Sequence, residues 1–253
     1  MLESPGTLID RDWLDTYWVQ RGALHHQVAD LHSELFILRE ILEFPFDLLG
    51  SGDNVFWILT ANALSESAIL GIWRLLVDND PRCLSLRRFK NEMFTHVKDV
   101  DARRLLAERW KGLSITQRTS DMEKKVRRIR NEFYAHFGPQ LSGTRDQQTI
   151  LLPRISLEEM EGAARVLLDM LTCLGIGTEF STLNLEYRAK QPVGAGGPKP
   201  DVIHLLECQA EQSMRFRAPE EDPDLWAVLR SEMEEGKLKE FNAWRVRLGR
   251  QEA

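Results

Sequence analysis

Apolar residues along this chain recur mostly at helical spacing. Leu24, Val28, Leu31, Leu35, Leu38 and Leu42 alternate steps of four and three, a heptad seam that ends before Pro45. Trp13, Leu14 and Tyr17 carry the same helix back to a start near Asp10 or Asp12. Two readings of the seam stay open: a long helix packed inside its own chain, or one that pairs with a second copy. After the Gly50-Ser51-Gly52-Asp53 turn, a second helix is predicted from Asn54 to Val77, ended by Asp78-Asn79-Asp80-Pro81. It is apolar almost all round, which predicts a place at the centre of a bundle. Leu86, Phe89, Met93 and Val97 predict a third helix with Ser85 as its N-cap, and a shorter one follows from Val100 to Lys111.

Ser114 with Gln117 reads as a capping box opening a helix that runs to Phe137, where Gly138-Pro139 stops it. A polar loop and a short extended piece, Gln148 to Pro153, lead to a second box at Ser156 and Glu159. That helix runs to Leu174, with Gly175 as its C′ residue. Beyond it the composition shifts. Pro192 to Pro200, PVGAGGPKP, reads as a linker, and its GAGG lacks the spacing of a phosphate-binding loop. The tail holds one ambiguous segment, Val202 to Met214, and one predicted helix from Asp224 to Leu248. The expected architecture is an all-α bundle over residues 1–180, a linker over 181–200 and a helical C-terminal appendage over 201–253.

Composition narrows the functional classes. A chain of 253 residues, 43% hydrophobic and 28% charged, can bury a full core without disulfides or a structural metal. Cys83, Cys173 and Cys208 are odd in number and lack CxxC spacing, which excludes a disulfide framework and a cysteine zinc site. The net charge of −6 argues against a generally cationic nucleic-acid binder while leaving room for a local basic surface. MLESPGTLID has neither a basic n-region nor an apolar h-region, so no secretion signal is expected. The longest apolar stretch, Val55 to Val77, is interrupted by Asn62, Ser65, Glu66, Ser67 and Arg74. A central charge such as Glu66 costs a membrane span about 2.5–3.5 kcal/mol, so the segment is expected in a soluble, cytoplasmic protein.

The richest stretch for chemistry is Lys124 to His136, KKVRRIRNEFYAH. On an ideal helix Met122, Val126, Ile129, Phe133 and Phe137 form one apolar stripe. Arg130 and His136 fall on its two borders, roughly 120° apart at about 100° per residue. One helix cannot easily aim both at one atom, whereas a two-fold partner helix along the stripe brings two imidazoles and two guanidiniums into one cleft. Such a set has the parts for cleaving RNA without metal. One imidazole takes the proton of a ribose 2′-hydroxyl, which attacks the adjacent phosphate, and the second protonates the leaving 5′-oxygen. Arginine's fork of donors stabilises the charged transition state. The products are a 2′,3′-cyclic phosphate and a 5′-hydroxyl. Lys124, Lys125, Arg127 and Arg128 are candidates for guiding RNA to this point, or else a solvated helix face.

Arg130-Asn131-x4-His136 resembles the R-x(4–6)-H signature of HEPN domains, with a polar residue after the arginine. The long first helix, FWILTANALSESAILGIWRLLVDND at Phe56 to Asp80, Leu84-Ser85-Leu86 and RNEFYAH resemble the AbiU2-like branch, named for abortive phage infection, over residues 10–180. The resemblance implies a HEPN-like antiparallel helical bundle, a homodimer, and a metal-independent endoribonuclease of a toxin–antitoxin or phage-defence system. In it Arg130 and His136 are the catalytic pair and Asn131 supports them. RNA is the implied substrate, an antitoxin or defence-system protein is a further partner, and no cofactor or metal is expected. Gly138 stands where some HEPN toxins carry a tyrosine modified by a partner enzyme, so that form of control is not expected. Two other functions stay open: a non-catalytic helical module that binds RNA or protein, and a nucleotide sensor in which Arg130 holds a phosphate.

Other residues read more plainly. His26 and Asp30 sit at metal-ligand spacing with His25 and His32 nearby, yet two ligands do not make a site, and surface histidines are the simpler account. Glu66, with Asn62 one turn earlier, is expected to be buried in an ion pair, with a motif arginine as its candidate partner. Arg74 and Asp78 are expected to pair at the helix end. Trp226, Phe241 and Trp244 are expected against the bundle, and all three cysteines are read as structural.

Overall fold

The computed structural model describes residues 5–44, 54–78, 80, 82–131, 154–175, 205–206, 239, 242–243 and 246. Among them the chain is all-α. The order is α1 (Pro5–Leu8), a 3-10 turn (Arg11–Trp13), α2 (Leu14–Glu43), α3 (Asn54–Ile72), a π-helical turn (Trp73–Val77), α4 (Leu86–His96), α5 (Val100–Gly112), α6 (Ile115–Ile129) and α7 (Leu157–Cys173). The expected linker, the extended piece, the side chains of Trp226, Phe241 and Trp244, and nearly all of 201–253 lie outside the described residues. The chain divides into two compact units, Met1–Leu35 with Glu66–Leu185, and Phe36–Ser65 with Glu186–Ala253.

In the first unit α7 is the central helix. Its start is fixed by the Ser156–Glu159 capping box, in which each side chain accepts from the other residue's backbone N–H. It packs against α4, α5 and α6. Met160, Ala163, Ala164, Val166, Leu167, Leu168, Met170 and Leu171 are all buried and form a broad apolar face, while Glu158, Arg165 and Thr172 mark the exposed side. The small Ala163 and Ala164 allow close helix approach. Two polar bonds tie α2 to it: the Tyr17 hydroxyl donates to the Leu174 carbonyl at 3.1 Å, and His32 Nε2 lies 3.2 Å from the Ala164 carbonyl. Ser85 caps α4 as expected, accepting from the Arg88 N–H, and Leu86, Phe89 and Met93 face the core. At the N-terminal side, Trp13 stacks on His96 at 4.7 Å, and the Asp10 carboxylate sits 3.2 Å from His96 Nδ1.

The heptad seam of α2 is buried within the chain from Leu24 through Leu38, but Leu42 is 54% exposed and Ile41 is buried in its place. The first half of α3 departs further from its pattern. In the second unit Trp57 and Ala61 are buried, whereas Val55, Phe56, Ile58 and Leu59 are 54–63% exposed. The continuous helix Val55–Val77 has the length and hydropathy of a membrane-crossing segment, and 22% of its most apolar window is buried. An all-round apolar pattern reports composition and not position, and the centre belongs to α7.

The N-terminus of α6 also differs from expectation. Ser114 precedes the helix but takes the left-handed conformation, φ 50°, and its side chain makes no capping bond. A capping serine needs extended backbone to aim its oxygen at the first free amides. Here the Ser114 carbonyl accepts from the Arg118 N–H, and the Arg118 side chain pairs with Asp169 of α7 at 2.8 Å.

Candidate functional site

Helix α6 delivers the site. Ile115, Thr119, Met122, Val126 and Ile129 are its buried residues, at steps of four and three, so its other faces must be polar. The one polar member of the stripe is satisfied: the Thr119 hydroxyl lies 2.8 Å from both the Ile115 carbonyl and the Glu123 carboxylate. Glu123 in turn accepts from Arg87 of α4 at 2.5 Å. Lys125 donates to Glu159 of α7. That bond, with the backbone bond from Ser156, holds the Glu159 carboxyl below the usual carboxylate range. Together with Arg118–Asp169, these pairs fix the rotation and height of α6 against its neighbours.

Arg130 follows the last α-helical residue of α6. It and Asn131 are π-helical. The Arg130 guanidinium is exposed and lies over the Trp73 ring, 5.4 Å from its centroid. Its Nη1 donates to the Asn131 side-chain oxygen at 3.2 Å. A guanidinium carries five N–H donors in a fixed fork, and this bond uses one. No carboxylate pairs with Arg130 among the described residues. The ring beneath it belongs to the first residue of the π turn, closed by the Asp78 N–H donating to the Trp73 carbonyl at 3.0 Å. Leu75, Leu76 and Val77 are buried, and this turn packs against α6 and α4.

The remaining predicted site residues divide. His136 lies outside the described residues, as does Gly138. Arg127 and Arg128 are exposed on α6. Lys124 is exposed and sits 3.4 Å from Asp121, and Lys125 is engaged with Glu159. The structure thus brings Arg130 and Asn131 together and draws the two lysines toward carboxylates of their own chain.

Several expectations need correction. Glu66 is exposed and forms no salt bridge among the described residues, because α3 turns that position outward and not into a core. Arg74 is exposed and does not reach Asp78: the π turn adds a residue to the intervening turn and breaks the i, i+4 alignment. Asp78 instead accepts from the Asp80 N–H at 3.0 Å and from the Cys83 thiol, which pushes the thiol pKa up. Cys173 is also raised, by burial, and Cys208 lies outside the described residues. His25 and His26 stack edge to face at 5.8 Å, and burial, His26 and Arg21 together lower the His25 pKa. Among the described residues no group of three or more His, Cys, Asp or Glu side chains is placed to hold a metal ion.

The residue that sequence reasoning missed is Trp73. In Ile72-Trp73-Arg74-Leu75 it reads as one more apolar position of a long greasy helix. Only the bulged turn and the neighbouring helix show it as the surface on which Arg130 rests.

The model of the AbiU2 family of HEPN domains matches residues 20–190, more than half of the chain. The match runs from within α2 through α7 and includes Trp73, Arg130 and Asn131. No curated protein and no solved structure matches the chain at a significant level. The chain belongs to the AbiU2 family and is an abortive-infection-related HEPN domain.

Proposed function

We propose that this chain is a metal-independent endoribonuclease of phage defence or of a toxin–antitoxin system, with Arg130, Asn131 and His136 as its working residues. The observation that carries this reading is Arg130 itself: exposed, held by an aromatic ring and an amide, and with no carboxylate partner among the described residues. An arginine kept for structure is ordinarily paired, and one kept for a phosphate needs its donors open. The family match supports the defence context.

In the proposed reaction His136 accepts the ribose 2′-hydroxyl proton, and the oxygen attacks the adjacent phosphorus. A second imidazole protonates the 5′-oxygen as the P–O bond breaks, giving a 2′,3′-cyclic phosphate and a 5′-hydroxyl. Arg130 offers a planar fork to the phosphate oxygens as charge builds on them. Arg127 and Arg128 guide the RNA strand. Two imidazoles call for two copies of the motif, so the active form is a homodimer with a composite site. It works in the cytoplasm, where RNA is available.

The test is cleavage of labelled single-stranded RNA by the parent chain and by Arg130→Ala and Arg130→Lys. Loss in both variants is expected, because a lysine offers no bidentate fork; the proposal fails if Arg130→Ala cleaves as fast as the parent. RNA binding without cleavage by the parent points instead to a non-catalytic binding module. Light scattering of the purified chain tests the dimer.

A further inference from the structure

We infer that Trp73 is a positioning residue for Arg130, holding its guanidinium so that the open donors meet an RNA phosphate. This deepens the proposed function and rests on it for the reaction, though not for the binding step. An arginine on a helix surface normally samples many rotamers, and ordering one is costly unless a contact has already done so. Here the contact is present in the free chain: the indole face lies under the guanidinium at 5.4 Å, and Asn131 takes one N–H at 3.2 Å. A cation over an aromatic face is attracted by the ring quadrupole while its N–H edges stay free for other acceptors.

The backbone beneath the ring is built for this placement. Trp73 opens a π turn whose carbonyl accepts from the Asp78 N–H five residues on, at 3.0 Å. The turn is anchored by Ile72, Leu75, Leu76 and Val77, 0–4% exposed, so the half-exposed indole stands on a fixed base. Arg130 and Asn131 are π-helical as well. Two departures from the α-helix therefore flank one cation–π contact, and such single-turn bulges recur at functional sites because they re-aim side chains. In a regular helix Arg74 and Asp78 stand one turn apart; the bulge separates them and leaves Trp73 beneath the arginine.

The experiment uses the full chain and a short 2′-O-methyl RNA, which can be bound but not cut by 2′-hydroxyl attack. Binding is read by fluorescence anisotropy for the parent, Trp73→Phe, Trp73→Leu, Arg130→Ala and the Trp73→Leu/Arg130→Ala double variant, each checked for folding by circular dichroism. Trp73→Leu is expected to weaken binding about 3- to 30-fold, and Trp73→Phe, which keeps a ring, to stay within about 3-fold of the parent. In the Arg130→Ala background Trp73→Leu is expected to change affinity by less than about 2-fold, since it acts only through the arginine. With cleavable RNA the same pattern is expected in kcat/KM, with the loss falling mainly on KM, because the contact orders the arginine before the reaction begins.

Equal binding by Trp73→Leu and the parent overturns the inference, as does the same loss from Trp73→Leu with and without Arg130. No measurable binding by the parent overturns it too. A parent that binds with the expected pattern but cuts no RNA removes the nuclease reading and leaves the positioning role standing.

Discussion

Removing one oxygen from Tyr17 tests how α2 is fastened to the central helix. Tyr17 is 0% exposed, and its hydroxyl donates to the carbonyl of Leu174, the C-cap of α7, which is also 0% exposed. The last carbonyls of any α-helix lack an intrahelical partner. In α7 the Met170 carbonyl accepts from the Leu174 N–H, the Thr172 carbonyl from the Gly175 N–H, and the Leu174 carbonyl from Tyr17. Tyr17→Phe keeps the ring and its 5.7 Å stack on Phe89 but strands a buried acceptor. The lost bond and the unsatisfied carbonyl together cost about 1–2 kcal/mol. Tyr17→Ala also removes the ring and costs about 3–5 kcal/mol. In a urea titration followed by far-UV circular dichroism, with a slope of about 3 kcal/mol/M, Tyr17→Phe lowers the midpoint by roughly 0.3–0.7 M. A midpoint within about 0.1 M of the parent at unchanged slope refutes the reasoning, because the bond then contributes nothing that water does not replace.

Ser156→Ala removes one half of the α7 capping box and lowers stability by about 1 kcal/mol, read in the same titration, whereas Ser114→Ala, which removes no capping bond, stays within about 0.5 kcal/mol of the parent. Lys125 already donates to Glu159 while Arg127 is exposed, so Lys125→Ala weakens RNA binding less than Arg127→Ala; equal losses by anisotropy contradict that division. The Asp80 carboxyl, bonded by the Arg82 side chain and backbone, sits at about 2 against an ordinary 3.8. Its contribution to stability is therefore complete above 3.8 and fades as pH falls toward 2. Carboxyl NMR of Arg82→Ala is expected to show the Asp80 titration moving back up toward 3.8, and an unmoved titration contradicts the assignment.

Much of the fold was legible where one physical signal decides the structure. Ser156 and Glu159 are spaced to satisfy each other's backbone donors, and they do. The α4 stripe of Leu86, Phe89 and Met93, with Ser85 before it, behaves the same way. Legibility failed where the backbone chose something a side-chain pattern does not encode. Ser114 has the right neighbours for a cap, but its left-handed φ withdraws the hydroxyl. A regular buried helix would give Glu66 and Arg74 partners, whereas α3 is half exposed and ends in a π turn. Arg130 and Asn131 stood out from the motif, and their mutual bond is present. Trp73 did not stand out, because its value lies in a contact made across 57 positions of sequence by an extra residue in one helical turn.

The central claim is that Arg130 and His136 cut RNA through the ribose 2′-hydroxyl. The most direct test incubates the purified chain and its His136→Ala variant with labelled single-stranded RNA in EDTA and identifies the new ends by mass spectrometry. The account predicts cleavage by the parent alone, leaving 2′,3′-cyclic phosphates and 5′-hydroxyls, with no cutting of the matching DNA. Equal cleavage by both proteins, or products ending in 3′-hydroxyl and 5′-phosphate, contradicts it.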